Sequence, residues 1–115
     1  MAELDLNERQ AGDVTVLDLS GAVRIGDGCV AMRNAVRQLV DAGKHKILLN
    51  LGGVKYMDSS GIGELIANLT TVSRAGGQLK LLNLTDKITD LLVITKLLTV
   101  FDVYESEAEA LNSFK

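Results

Sequence analysis

Two rhythms of apolar residues alternate along the 115-residue chain. Leu4 and Leu6, and then Val14, Val16, Leu17 and Leu19, fall mostly at alternate positions, the period of a strand with one buried face. Gly12-Asp13 between them is a turn signal, which predicts a hairpin over about 3–10 and 14–20. Ser20-Gly21 closes the second strand, and the loop 21–28 carries three glycines in eight positions, a stretch expected to be irregular. From Cys29 to Asp41 the period becomes helical. Val30, Ala31, Met32, Val36, Leu39 and Val40 lie against Arg33, Asn34, Arg37 and Gln38, and Gly43 supplies a stop. Lys46–Leu51 is a nearly continuous apolar run, the mark of a central strand covered on both faces. Gly52-Gly53 is expected to end it. After Asp58-Ser59-Ser60-Gly61, the residues Ile62, Leu65, Ile66, Leu69 and Val72 form one helical stripe, which Gly76-Gly77 terminates. Gln78–Leu82 reads as another buried strand, and Thr85-Asp86 opens a helix containing Ile88, Leu91, Leu92 and Thr95. Val100–Tyr104 reads as a last strand and Ser106–Ser113 as a small terminal helix.

The predicted order is β β α β α β α β α. Strands alternating with helices imply right-handed crossovers and an α/β fold: a mainly parallel sheet of about five strands, one antiparallel strand from the leading hairpin, and about four helices. Ligands and partners of such sheets gather beyond the carboxyl ends of the strands. The loops 21–28 and 52–61 both run from strand to helix and are expected to share that end.

Composition narrows the function classes. The length suits a single domain over residues 1–115, large enough for a core without disulfides or a structural metal. The one cysteine, Cys29, excludes an internal disulfide and a Cys-based zinc cage; neither a metal site nor a cofactor is expected. A net charge of −3 and only four aromatics, Tyr56, Phe101, Tyr104 and Phe114, argue against a nucleic-acid binder. No apolar run reaches the roughly 20 residues that span a bilayer, and the N-terminus carries acid where a secretory signal carries base. The expectation is a cytoplasmic protein with no membrane partner. Proline is absent, and no repeat or low-complexity tract is visible.

The candidate chemistry lies in Asp58-Ser59-Ser60-Gly61-Ile62-Gly63, where a loop meets a helix N-terminus. Asp and Ser are favoured there because their oxygens accept bonds from free backbone N–H groups, so simple capping is the plain reading. The sharper reading makes one hydroxyl a phosphorylation site. A phosphate adds about −1.5 to −2 charges, which a helix N-terminus tolerates while Asp58 repels them. A partner packed on that surface would then lose contact. Rival signals are weaker. Gly61-x-Gly63 lacks the third glycine of a dinucleotide fingerprint, since residue 66 is Ile. A serine hydrolase elbow would need glycine where Met57 stands, and the one histidine, His45, has no evident route to Ser59. Asp58 and Glu64 read as solvated carboxylates rather than an acid–base pair. Cys29 reads as a small buried residue rather than a thiolate. One helical face cannot bury all of Leu91–Leu98, so Val93, Ile94 or Leu97 is expected at the surface, as core packing or a docking patch.

The run from Leu49 through Asp58-Ser59-Ser60-Gly61-Ile62-Gly63-Glu64 to Leu65 resembles the signature of the anti-sigma factor antagonists, the bacterial STAS domain family. Gly76-Gly77, Gln78–Leu84 and Val100–Tyr104 fit as well, so the resemblance covers nearly the whole chain. It implies a regulated binding protein rather than an enzyme. The unmodified form would bind a serine-kinase anti-sigma factor and free the sigma factor; the kinase would phosphorylate the antagonist and release it, and a PP2C-type phosphatase would reset it. Carried over residue by residue, Ser59 is the phosphorylation site. Asp58, Ser60, Gly61 and Ile62 form the partner surface, with Arg24 and Ile25 contributing from the neighbouring loop. Family members commonly carry acid in a Gly-Glu-x-Asp-like stretch where this chain has Gly21-Ala22-Val23-Arg24, so an acid-to-base change faces the partner. The alternative class is a scaffolding STAS module of a signalling or transport complex, without a phosphate switch. The sequence leaves the oligomeric state open.

Overall fold

A computed structural model describes residues 3–114. Its elements run β1 (Leu4–Ala11), β2 (Val14–Val23), α1 (Asp27–Asp41), β3 (Lys46–Met57), α2 (Ser59–Arg74), β4 (Gln78–Leu82), α3 (Asp86–Ile94), a 3-10 turn (Leu98–Val100), β5 (Val103–Tyr104) and α4 (Glu107–Ser113). The strands form one sheet in the order β1-β2-β3-β4-β5. Only β1 is antiparallel to its neighbour. The predicted order of elements and the mixed sheet are thus both present.

Strand period explains how two cores arise from one sheet. Leu17, Leu49 and Leu81 lie in register across β2, β3 and β4, at most 2% exposed, and point toward α1, α2 and α3. Met32, Val36 and Leu39 of α1, Ile62, Leu65 and Val72 of α2, and Ile88 and Leu92 of α3 complete that layer. One residue back along each strand, Val16, Leu48 and Lys80 form a second row on the opposite face. There Val14, Val16, Leu48 and Leu82 pack against Ala110 and Phe114 at α4. The central run is covered on both sides, as its unbroken apolar character predicts.

Three boundaries differ from expectation. Gly52-Gly53 does not end β3, which continues to Met57. These glycines lie beside an irregularity in the β2–β3 register, and a Cβ on Gly53 would lie 2.8 Å from the Leu19 carbonyl oxygen and 2.9 Å from the Ser20 side chain. They mark a close approach between strands, not a stop. Likewise β2 runs on to Val23 and α1 begins at Asp27, which shortens the 21–28 loop to a tight turn over Arg24–Gly26. The final strand is only Val103–Tyr104. Lys96 takes a left-handed conformation (φ 62°), and the Leu97 N–H bonds the Leu92 carbonyl, so the chain closes α3 and turns through 98–100 before joining the sheet. Val93 and Ile94 are 54% and 77% exposed, as anticipated for the crowded apolar run, while Leu97 is half-buried.

Candidate functional site

The parallel arrangement carries the ends of β2 and β3 to the same edge of the molecule, and Asp58 joins them. Its backbone is extended, and its N–H donates to the Val23 carbonyl at 3.4 Å. One side-chain oxygen, Oδ1, accepts the Gly61 N–H at 2.9 Å and so caps α2. The other, Oδ2, accepts the Ile25 N–H at 3.2 Å. A single carboxylate therefore fixes both the start of α2 and the turn after β2. Burial pushes this carboxyl up, but the N–H groups of Gly61, Ile25 and Ser60 outweigh it and hold the group below the ordinary carboxylate value.

Ser59 is the first residue of α2 and is exposed; Ser60 is half-buried. Gly61 and Ile62 behave differently from the sequence expectation that they belong to the partner surface. Ile62 is 3% exposed and packs into the main core, and Gly61 is buried where a Cβ would collide with the Val23 carbonyl oxygen. Their place in the site is to seat α2 against β2, while Ser59 stays exposed. The exposed residues on the segments that Asp58 joins are Ile25, 77% exposed, Arg24, and Tyr56, 47% exposed. The Arg24 guanidinium pairs with Glu3 through Nε and lies 5.1 Å from the centre of the Tyr56 ring. Tyr56 was legible in the sequence only as an aromatic two residues before Asp58; its exposure depends on β3 continuing past the glycines.

One turn further along α2 the expectation for Glu64 fails. It is not a solvated carboxylate but 7% exposed, accepting from Arg33 Nε at 3.1 Å and Nη2 at 2.7 Å. The pair braces α1 against α2 behind the site. Cys29 is buried, and burial pushes its thiol up, with Glu64 and Asp58 adding to the effect, which suits a packing residue rather than a nucleophile. His45 precedes β3 and so lies at the opposite end of that 12-residue strand from Asp58. A concavity of about 370 Å³ lies between α3 and β5, lined by residues such as Leu84, Phe101 and Glu105, and none of the predicted site residues lines it. Among the described residues no group of three or more His, Cys, Asp or Glu is arranged to hold a metal, and no helix is long and apolar enough to cross a membrane. Ser59 is left exposed at the first position of α2.

A five-stranded mixed sheet with helices on both faces and an exposed serine at the start of its second helix defines a small α/β domain. The sequence profile of the STAS domain family matches residues 6–110, and the chain belongs to that family. A candidate anti-sigma factor antagonist of Thermotoga neapolitana is 28% identical over 100 residues, covering 87% of this chain and 88% of that protein. The anti-sigma-B factor antagonist of Bacillus subtilis is 40% identical over 53 residues, 46% of this chain and 49% of that one. The Bacillus cell fate determinant SpoIIAA in its phosphorylated form has the same fold, with a TM-score of 0.72 at 19% identity over 94% of this chain and 97% of that one.

Proposed function

We propose that this protein is an anti-sigma factor antagonist that binds a serine-kinase anti-sigma factor in the cytoplasm and is released from it by phosphorylation of Ser59. The observation that carries the reading is the exposed Ser59 hydroxyl on the first turn of a 16-residue helix, framed by residues that backbone hydrogen bonds hold in place. The names of the Bacillus subtilis and Thermotoga relatives support the class, and the phosphorylated state of SpoIIAA supports the kind of switch.

In the unmodified protein Arg24, Ile25, Asp58, Ser60 and Tyr56 surround Ser59 and form the contact surface. Transfer proceeds as Ser59 Oγ attacks the γ-phosphorus of ATP. The Oγ–P bond forms, the bond to ADP breaks, and the hydroxyl proton passes to a base of the kinase. The product carries about −1.5 to −2 charges on the first turn of α2, where the helix end stabilises them locally. The same charge stands beside Asp58, and a partner surface matched to a neutral hydroxyl meets it unpaired. Affinity falls while the fold stays. A PP2C-type phosphatase restores the hydroxyl by hydrolysis of the phosphoester.

Ser59→Ala is expected to retain the partner and never release it on addition of ATP, whereas Ser59→Asp is expected to weaken the complex by about tenfold or more. A mass spectrum after incubation with the cognate kinase and ATP is expected to place one phosphate on Ser59. Phosphate on another residue, or equal partner affinity of both variants, would count against the switch and favour the scaffolding class.

A further inference from the structure

We propose that Arg24 is the internal counter-ion of phosphorylated Ser59, leaving Glu3 to turn its guanidinium onto the phosphate; the idea rests on Ser59 being the phosphoacceptor. The backbone already holds Arg24 at the site. Residues on either side of it, Val23 and Ile25, are each hydrogen-bonded to Asp58, the residue before Ser59, at 3.4 and 3.2 Å. Its guanidinium lies over Tyr56, two residues before Asp58 in β3.

Arg24 can change partners at little cost. Among the described residues its side-chain hydrogen bonding is confined to Nε, which donates to Glu3, so the Nη donors remain for a second acceptor. Its side chain is 51% exposed, and an ion pair that open to water contributes little. A phosphate dianion offers the bidentate geometry that the planar fork matches best. The other nearby cation, Arg33, is committed to Glu64 by two bonds, with that carboxylate 7% exposed. The acidic groups around the turn are Glu3 just before β1, Asp27 at the start of α1, and Asp58 itself, and the exposed Lys55 lies one residue before Tyr56 in β3. Arg24 is thus the cation whose flanking backbone is tied to Asp58 and whose Nη donors are unused. Phosphorylation would then alter the surface twice, adding a dianion and withdrawing a positive group from the partner-facing side, which gives the basic residue at this position of the loop a regulatory use.

The test installs phosphoserine at position 59 during translation, so that no kinase is needed, and follows the second ionisation of the phosphate, ordinarily near about 6, by phosphorus NMR. Arg24→Gln is expected to make loss of the second proton about threefold less favourable, with Arg24→Lys restoring part of the effect. Arg74→Gln, at the far end of α2, is expected to leave the midpoint unmoved. Glu3→Gln, which removes the competing carboxylate, is expected to lower the midpoint, and to lower it less when Arg24 is also Gln. Equal midpoints for the native and Arg24→Gln proteins would overturn the proposal, as would an equal shift from Arg74→Gln. Since the phosphate arrives without a kinase, that result would remove the role of Arg24 alone; failure of a kinase to label Ser59 would instead remove the reading beneath it.

Discussion

Asp58 has the largest structural reach of any side chain in the site, because two backbone segments far apart in sequence depend on its two oxygens. Asp58→Ala is expected to lower stability by about 1 kcal/mol through loss of the cap. The same change should speed amide exchange at Ile25, which urea titration and hydrogen exchange would show separately. Asp58→Asn keeps one acceptor and is expected to fall between. The carboxyl is held below its ordinary value, so its contribution to stability is fully present above the ordinary carboxylate range near about 4 and is lost as pH falls through the depressed folded value. Acid is therefore expected to loosen the 24–26 turn. Amide exchange at Ile25 followed downward from pH 5 should show this in the native protein, and Asp58→Asn should flatten the dependence. At this scale the chemistry-bearing residues were legible: Asp and Ser before an apolar helical stripe announce a helix start. The joining of Ile25 to Asp58 was not legible, since 33 residues separate the two groups and only the folded sheet brings them together.

At the scale of elements, α4 shows how a seven-residue helix can be held on a sheet. Ser106 caps its start, Arg9 of β1 donates to Glu107 at 3.0 Å, and Lys80 of β4 donates to the Ser113 carbonyl at 3.0 Å and its hydroxyl at 2.9 Å. The Lys80 ammonium, on a side chain 9% exposed, also lies 4.9 Å from the centre of the Phe114 ring. Lys80→Met should remove the bonds to the helix end while leaving the row of Val16 and Leu48 filled. The expected loss is about 1–2 kcal/mol in a denaturation experiment, with faster exchange confined to 107–113. Lys80 is a polar interruption of a buried strand; its purpose is set by the last residue of a helix, 33 positions later. Glycine misled for a related reason. Gly52-Gly53 carries a local message of chain termination, whereas the actual constraint is the backbone of β2 pressing on β3. Glu64 looked solvated because its partner, Arg33, lies on another helix.

For the molecule as a whole, the row of Leu17, Leu49 and Leu81 ties the three central strands to the helical layer. Leu49→Ala, at a fully buried position in the middle strand, is expected to cost about 2–5 kcal/mol and to lower the urea midpoint of the entire domain. The architecture was legible because it depends on period: alternation in the first two strands, continuous burial in the third, and helical stripes between. These signals are contained within each segment and survive into the fold. Boundaries and ion pairs depend on which segments become neighbours, and those are the features that changed. The placement of α4 has a practical corollary. It covers the sheet face opposite α1, α2 and α3, and it runs back from the end of β5 toward the level of Lys80 in mid-strand. A fluorescent reporter fused behind α4 would consequently hang beneath the domain and leave the serine's approach unobstructed, so labelled protein should suit partner-release measurements in living cells.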